Sequence, residues 1–180
     1  MIEDRALVAK FLRHRDERDF RALYRRHSPA LYALALRMTP EDADEVMQET
    51  WIRATEALPR FQWRSKLRTW LTSIAINCCR EQIRRRGRSS DRLSDDGADT
   101  VSDTPRDEGA RLDIEQALAR LPDGYRRVLV LYDIYGYTHG EIGEFLGIAE
   151  GTCKSQLSRA RRAMRGALDG YGPEGLEGIN

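Results

Sequence analysis

The sequence predicts an all-α protein: two small helical domains joined by a flexible linker, the C-terminal one containing a helix-turn-helix. Three observations lead there. Apolar residues recur at helical spacing in both halves, capping and stop residues bracket those stretches, and no run alternates in the manner of a strand.

Charge sets the domain boundaries. Residues 1–86 carry 18 Lys/Arg against 12 Asp/Glu, residues 87–110 carry 3 against 7, and residues 111–180 carry 9 against 10. The formal net charge of +1 therefore hides a basic lobe, and nucleic-acid binding depends on the local patch rather than the total. The expected organisation is a first domain over 1–86, an acidic flexible linker over 87–110, a second domain over 111–168 and a loose tail over 169–180. The stretch 87–110 is rich in Ser, Asp and Gly, with Leu93 and Val101 almost alone as apolar residues. It buries too little surface to offset chain entropy. No run approaches 18 apolar residues and the N-terminus has no signal-peptide pattern, so a cytoplasmic protein without membrane insertion is expected. Cys78, Cys79 and Cys153 lack CxxC spacing and read as reduced core residues.

In the first lobe, Phe20, Leu23, Tyr24, His27, Leu31, Leu34 and Ala35 carry a helical period, which Pro29 is expected to break or kink. Thr39 is the expected cap of the next helix, with Pro40 at its first position and acids in its first turn. That helix buries Ala43, Val46, Met47, Thr50, Ala54 and Leu58 and turns Asp42, Asp44, Glu45, Gln48 and Glu49 outward. Such an acidic face is either a solvated surface or a dock for a basic protein. A third helix follows the loop Phe61–Lys66, with Leu67, Trp70, Leu71, Ile74, Ala75 and Cys78 as its buried stripe. Ser73, Asn77, Arg80 and Arg84 share another face, and the helix is expected to end in Arg84-Arg85-Arg86. Aromatics beside a basic track suit single-stranded nucleic acid, with π-faces for bases and cations for phosphates. The other reading makes Trp70 core and leaves Phe61 and Trp63 to staple the loop.

In the second lobe, Thr138-His139-Gly140-Glu141 has capping-box spacing, Ile142, Phe145 and Leu146 form a stripe, and Gly147 is the expected stop. A second helix is expected from about Thr152 to Leu168. Cys153, Leu157, Ala160 and Met164 form its buried face. Lys154, Ser155, Gln156, Ser158, Arg159, Arg161, Arg162 and Arg165 lie opposite, a surface able to neutralise phosphates and read base edges. Gly143 suits close helix packing, whereas nothing in the sequence accounts for Gly140.

Enzymatic chemistry finds little footing. His14, His27 and His139 have no Cys, Asp or Glu partner at recognised ligand spacing, and no phosphate-cradling loop or nucleophile–base pair occurs. No metal or cofactor is expected. On a helix Cys78 and Cys79 point about 100° apart, which disfavours a disulfide between them, while Cys79, off the apolar stripe, leaves a thiol-sensor role open.

Asp42-Ala43-Asp44-Glu45-Val46-Met47-Gln48-Glu49-Thr50-Trp51, then Leu67-Arg68-Thr69-Trp70-Leu71 with Ile74-Ala75-Ile76-Asn77, resemble the first domain of extracytoplasmic-function (ECF) sigma factors of the sigma-70 family. Leu121-Pro122, Tyr125-Arg126-Arg127-Val128-Leu129 and the run from Gly151 to Arg161 resemble the second. The likeness covers roughly residues 18–86 and 112–167. It implies a region 2-like domain (1–86), a region 4-like domain (111–168) and a subunit that binds core RNA polymerase to start transcription. By this resemblance, Asp42, Asp44, Glu45, Gln48 and Glu49 would dock on polymerase. Trp63, Arg64, Ser73, Asn77, Arg80 and Arg84 would open the minus-ten element and hold its melted non-template strand. Thr152, Lys154, Ser155, Ser158, Arg159 and Arg162 would read the duplex minus-thirty-five element. An anti-sigma factor is the expected inhibitor. Ala149, where many members have Ser or Pro, and Gln156, where Arg is frequent, depart from the family pattern. Two rival functions remain: a DNA-binding regulator using the C-terminal helix pair alone, and a polymerase-occupying decoy. Neither needs single-strand contacts.

Overall fold

The side chain of Asp16 accepts the backbone N–H of Asp19 and so opens a helix of 22 residues, Glu17–Met38. In the computed structural model, which describes residues 2–90 and 109–169, this helix (α2) follows a shorter one, α1 (Ile2–His14). The sequence reading does not anticipate α1. Nor does Pro29 break α2, which runs continuously through it. A proline inside a helix costs about 3 kcal/mol. The same helix buries Leu23, Leu31 and Leu34 almost completely, each worth about 1.5–3 kcal/mol, so packing outweighs the lost hydrogen bond.

Thr39 also departs from expectation. Its hydroxyl donates backward to the Ala35 carbonyl at 3.2 Å, closing α2 rather than capping the next helix. Pro40–Asp42 forms a 3-10 turn, and α3 (Ala43–Ala57) starts after it. The expected buried face of α3 is present: Ala43, Val46, Met47, Thr50 and Ala54, with Leu58 just beyond. Trp51 joins them, its indole N–H donating to the Ser28 hydroxyl at 3.0 Å. Helix α4 (Leu67–Ser90) runs past the expected end at Arg86. Leu67, Leu71, Ala75, Ile76, Cys78 and Cys79 are buried, whereas Trp70 and Ile74 are half-buried.

Cys79 is fully enclosed, its sulfur 3.9 Å from the Thr39 hydroxyl, because α2 covers the face that a single-stripe reading leaves open. Burial pushes the Cys78 thiol up from its ordinary value. With both sulfurs shielded, the thiol-sensor reading loses its basis.

The chain divides into two compact units, residues 1–93 and 94–180. In the second, α5 (Gly109–Ala119) leads to α6 (Asp123–Leu129) and a π-helical turn, Val130–Ile134. Helices α7 (His139–Leu146) and α8 (Glu150–Asp169) follow. Ala117, Leu118, Leu121 and Val128–Leu131 meet Ile142, Phe145, Cys153, Leu157 and Ala160 in its core. No strand occurs among the described residues, in keeping with the all-α expectation. None of their helices is long and apolar enough to cross a membrane. Most of the expected linker, and all of the expected tail except Asp169, lie outside the described residues.

Candidate nucleic-acid and polymerase interfaces

The turn between α7 and α8 is built as its sequence requires. Thr138 and Glu141 close a reciprocal capping box, which also holds the Glu141 carboxyl below its usual range through the Thr138 backbone N–H. Gly147 sits at φ +72°, and its N–H and that of Ile148 both donate to the Gly143 carbonyl, at 2.8 and 3.0 Å. A Cβ on Gly143 would stand 2.8 Å from the Ile148 carbonyl oxygen, so the turn needs glycine there. Around Gly140 the space is open.

Helix α8 begins at Glu150, ahead of the expected start at Thr152. An acid in the first turn favours that end of a helix, and Glu150 also pairs with Lys154 at 2.6 Å. Cys153, Leu157 and Ala160 face inward; Thr152, Lys154, Ser155, Ser158, Arg159 and Arg162 are all exposed. The fold therefore brings the six expected reading residues to one open surface. They are not equally available. The Ser155 hydroxyl donates to the Thr152 carbonyl at 2.9 Å, and Arg159 donates to the Tyr125 hydroxyl at 3.2 Å. Arg162 forms no ion pair among the described residues. Two residues leave the expected face. Gln156 is half-buried against α6, where its amide would lie 3.3 Å from a Cβ on Gly124. Arg161 pairs with Asp133 at 2.5 Å and covers the ring of Tyr132, which stacks on His139.

In the first unit, Phe61 and Trp70 stack with centroids 4.7 Å apart, and Trp63 tilts against Phe61 at 4.9 Å. Trp63 adopts φ +58°, a left-handed conformation that costs a bulky residue of order 1–3 kcal/mol. Its ring also carries a residue absent from the sequence-based site: the Arg5 guanidinium of α1, 5.1 Å from the ring centroid. No sequence signal separated Arg5 from the other arginines of the lobe. Arg64, Asn77 and Arg84 are exposed and Arg80 is half-buried. Ser73 is exposed, but its hydroxyl donates to the Trp70 carbonyl at 2.7 Å, so it serves the helix first.

The acidic face of α3 is less open than its spacing suggests. Asp42 is a correction: its side chain is only 13% exposed, lies outside α3, and takes a hydrogen bond from Arg86 at 2.7 Å. Arg86 also pairs with Glu41, and Arg85 reaches Glu45 at 3.3 Å. Glu49 is half-buried and pairs with Arg53 at 2.5 Å, while Arg53 holds Glu81 at 2.6 Å and keeps that carboxyl below its usual range. The basic end of α4 thus folds over Glu45 of α3 and the acids of the turn before it, a tertiary pairing beyond any local period. Asp44, Glu45 and Gln48 stay exposed. Asp44 borders an apolar groove of about 410 Å³ between α2 and α3, lined by Phe20, Tyr24, Tyr32, Met47, Trp51 and Ile52. The charge of Asp44 raises the Tyr32 phenol above its ordinary value.

Two histidines also gain a carboxylate that sequence spacing hides, His27 from Asp4 at 3.3 Å and His14 from Asp19. His14 Nδ1 lies 3.0 Å from Asp19 at the α1–α2 corner, beside Asp16. Asp16 is engaged in capping α2 and Asp19 in the pair, which accounts for both acids.

Known proteins resemble both units of the chain. The family described as Sigma-70 region 2 matches residues 23–89, and that described as Sigma-70, region 4 matches residues 111–164. The chain is 33% identical over 158 residues to the ECF RNA polymerase sigma factor SigM of Mycobacterium tuberculosis, across 87% of this chain and 80% of that protein. It is 35% identical over 159 residues to SigL of the same species, across 84% and 90%. The sigma factor RpoE of Bartonella quintana, solved in complex with the anti-sigma factor NepR, superposes with a TM-score of 0.55. That match is 28% identical and covers 84% of this chain and 97% of RpoE.

Proposed function

Since the chain belongs to the ECF RNA polymerase sigma factors of the sigma-70 family, a non-enzymatic class acting in transcription initiation, we propose that it reads promoters with two separate surfaces. The α8 face around Arg159 reads the minus-thirty-five element in the major groove. The Phe61–Trp63 loop and the Asn77/Arg84 face of α4 take up the melted minus-ten strand. Asp44, Glu45 and Gln48, beside the α2–α3 groove, dock on a basic element of core polymerase in the cytoplasm, and an anti-sigma factor competes for the chain. The domain division at 1–86 and 111–168 follows from the same reading.

One observation carries the proposal. A single chain holds both a helix-turn-helix whose second helix exposes arginine and hydroxyl groups and an aromatic cluster flanked by exposed arginines. A regulator or a decoy needs only one of these. Run-off transcription with core polymerase and genomic promoter fragments tests it: defined transcripts are expected only when this protein is added. Reversing Asp44 and Glu45 to Lys should weaken polymerase binding at unchanged helicity. Glu45 also meets Arg85, so a single Asp44→Lys variant serves as the cleaner arm. Full polymerase affinity in both variants would remove α3 from docking.

A further inference from the structure

Trp63 has two neighbours. Phe61 tilts against the ring, and the Arg5 guanidinium lies over it at 5.1 Å from the centroid. Arg5 is exposed and has no carboxylate partner among the described residues, so the ring is its one fixed contact. It comes from α1, a helix outside the residues matched by Sigma-70 region 2, which begin at 23. The backbone of Trp63 is left-handed, a strain that packing on Phe61 must offset.

We propose that Arg5 is a further nucleic-acid-binding residue: it covers the open face of Trp63 in the free protein, yields that face to an unpaired base, and then binds the adjacent backbone phosphate. The inference rests on the reading of the Phe61–Trp63 loop as a single-strand site. Two comparisons of strength support it. Stacking of a base on an indole outweighs a cation–π contact made in water, so the base displaces the guanidinium. The displaced guanidinium lies within one side chain's reach of the stacked base and suits the planar, bidentate geometry of a phosphate. Before DNA arrives, Arg5 shields an indole that would otherwise face water. Afterwards it supplies a charge contact that the region 2 residues alone do not.

The test is binding of a single-stranded promoter oligonucleotide by the full-length protein assembled with core polymerase, titrated from about 50 to 200 mM salt. One lost phosphate contact lowers the slope of log affinity against log salt by about 0.7 for a single strand. Arg5→Ala should therefore bind more weakly at low salt, and its deficit should shrink about 2.6-fold across that range. Arg5→Lys should keep the wild-type slope. Arg5→Gln, which keeps a polar side chain without the charge, should reproduce the alanine result and guards against a folding defect. Unchanged slope in Arg5→Ala and Arg5→Gln, with binding still weakened by Trp63→Ala, overturns the proposal and leaves the single-strand site standing. Unchanged binding in Trp63→Ala overturns the site and the Arg5 assignment together.

Discussion

Arg159 donates to the hydroxyl of Tyr125, and that bond raises the guanidinium further above its ordinary pKa, so its charge is permanent and its direction partly set. Substituting Arg159 by Ala should change the upstream base preference selected from a promoter library, at a cost of about 1–3 kcal/mol. Tyr125→Phe should keep the preference but weaken it, because the guanidinium loses its anchor and not its donors. An unaltered library from Arg159→Ala would remove this side chain from base reading. His27 supports a second residue-scale prediction. It is buried in α2, with Nε2 3.3 Å from Asp4 but off the line of a hydrogen bond, and desolvation lowers its pKa from 6.5 despite that carboxylate. The unfolded chain therefore binds this proton more readily than the folded one. The corresponding stability is intact above pH 6.5 and is lost as pH falls through the folded value. Thermal melts should show a lower midpoint near about pH 5.5 than near about pH 7.5, with a smaller difference in His27→Asn.

At the scale of elements, α7 carries two glycines with opposite expectations. Replacing Gly140 by Ala meets nothing within 4 Å and should stabilise the second unit by about 1 kcal/mol, the ordinary gain of helix propensity. Replacing Gly143 drives a methyl to 2.8 Å from the Ile148 carbonyl, a backbone atom held by the turn. Overpacking of that kind costs about 1–3 kcal/mol, more than the propensity gain, so Gly143→Ala should destabilise and weaken duplex binding. Denaturant melts of the two variants decide the matter; equal shifts would contradict the close approach. Between α3 and α4, the pairs joining Glu45, Asp42 and Glu41 to Arg85 and Arg86 are mostly half-exposed, and each should contribute no more than about 1 kcal/mol.

For the whole molecule, opening DNA is a different demand from finding it. In the proposed function Trp63 serves the first and α8 the second. Trp63→Ala should lower permanganate reactivity of thymines in the promoter bubble and should be partly rescued on a pre-melted template, since stacking favours the unpaired strand. Equal loss on duplex and pre-melted templates would point to a folding defect. Arg159→Ala should show the opposite pattern, losing recruitment to duplex promoters whatever the state of the minus-ten region.

Local chemistry was readable from the residues alone: the capping box at Thr138, the stop at Gly147, the buried faces of α3 and, but for the half-buried Met164, of α8, and the six exposed residues of α8. Each depends on neighbours within one or two turns, where spacing fixes which side chains share a face. Contacts between distant segments were not readable. The continuity of α2 through Pro29, the backward cap at Thr39, the enclosure of Cys79, the Arg86 hold on Asp42, the turn of Gln156 toward α6 and the seat of Arg5 on Trp63 depend on which helices come to lie side by side. Helical period tells which face is buried, but only packing tells what buries it, and the energies of packing override local preference wherever the two conflict.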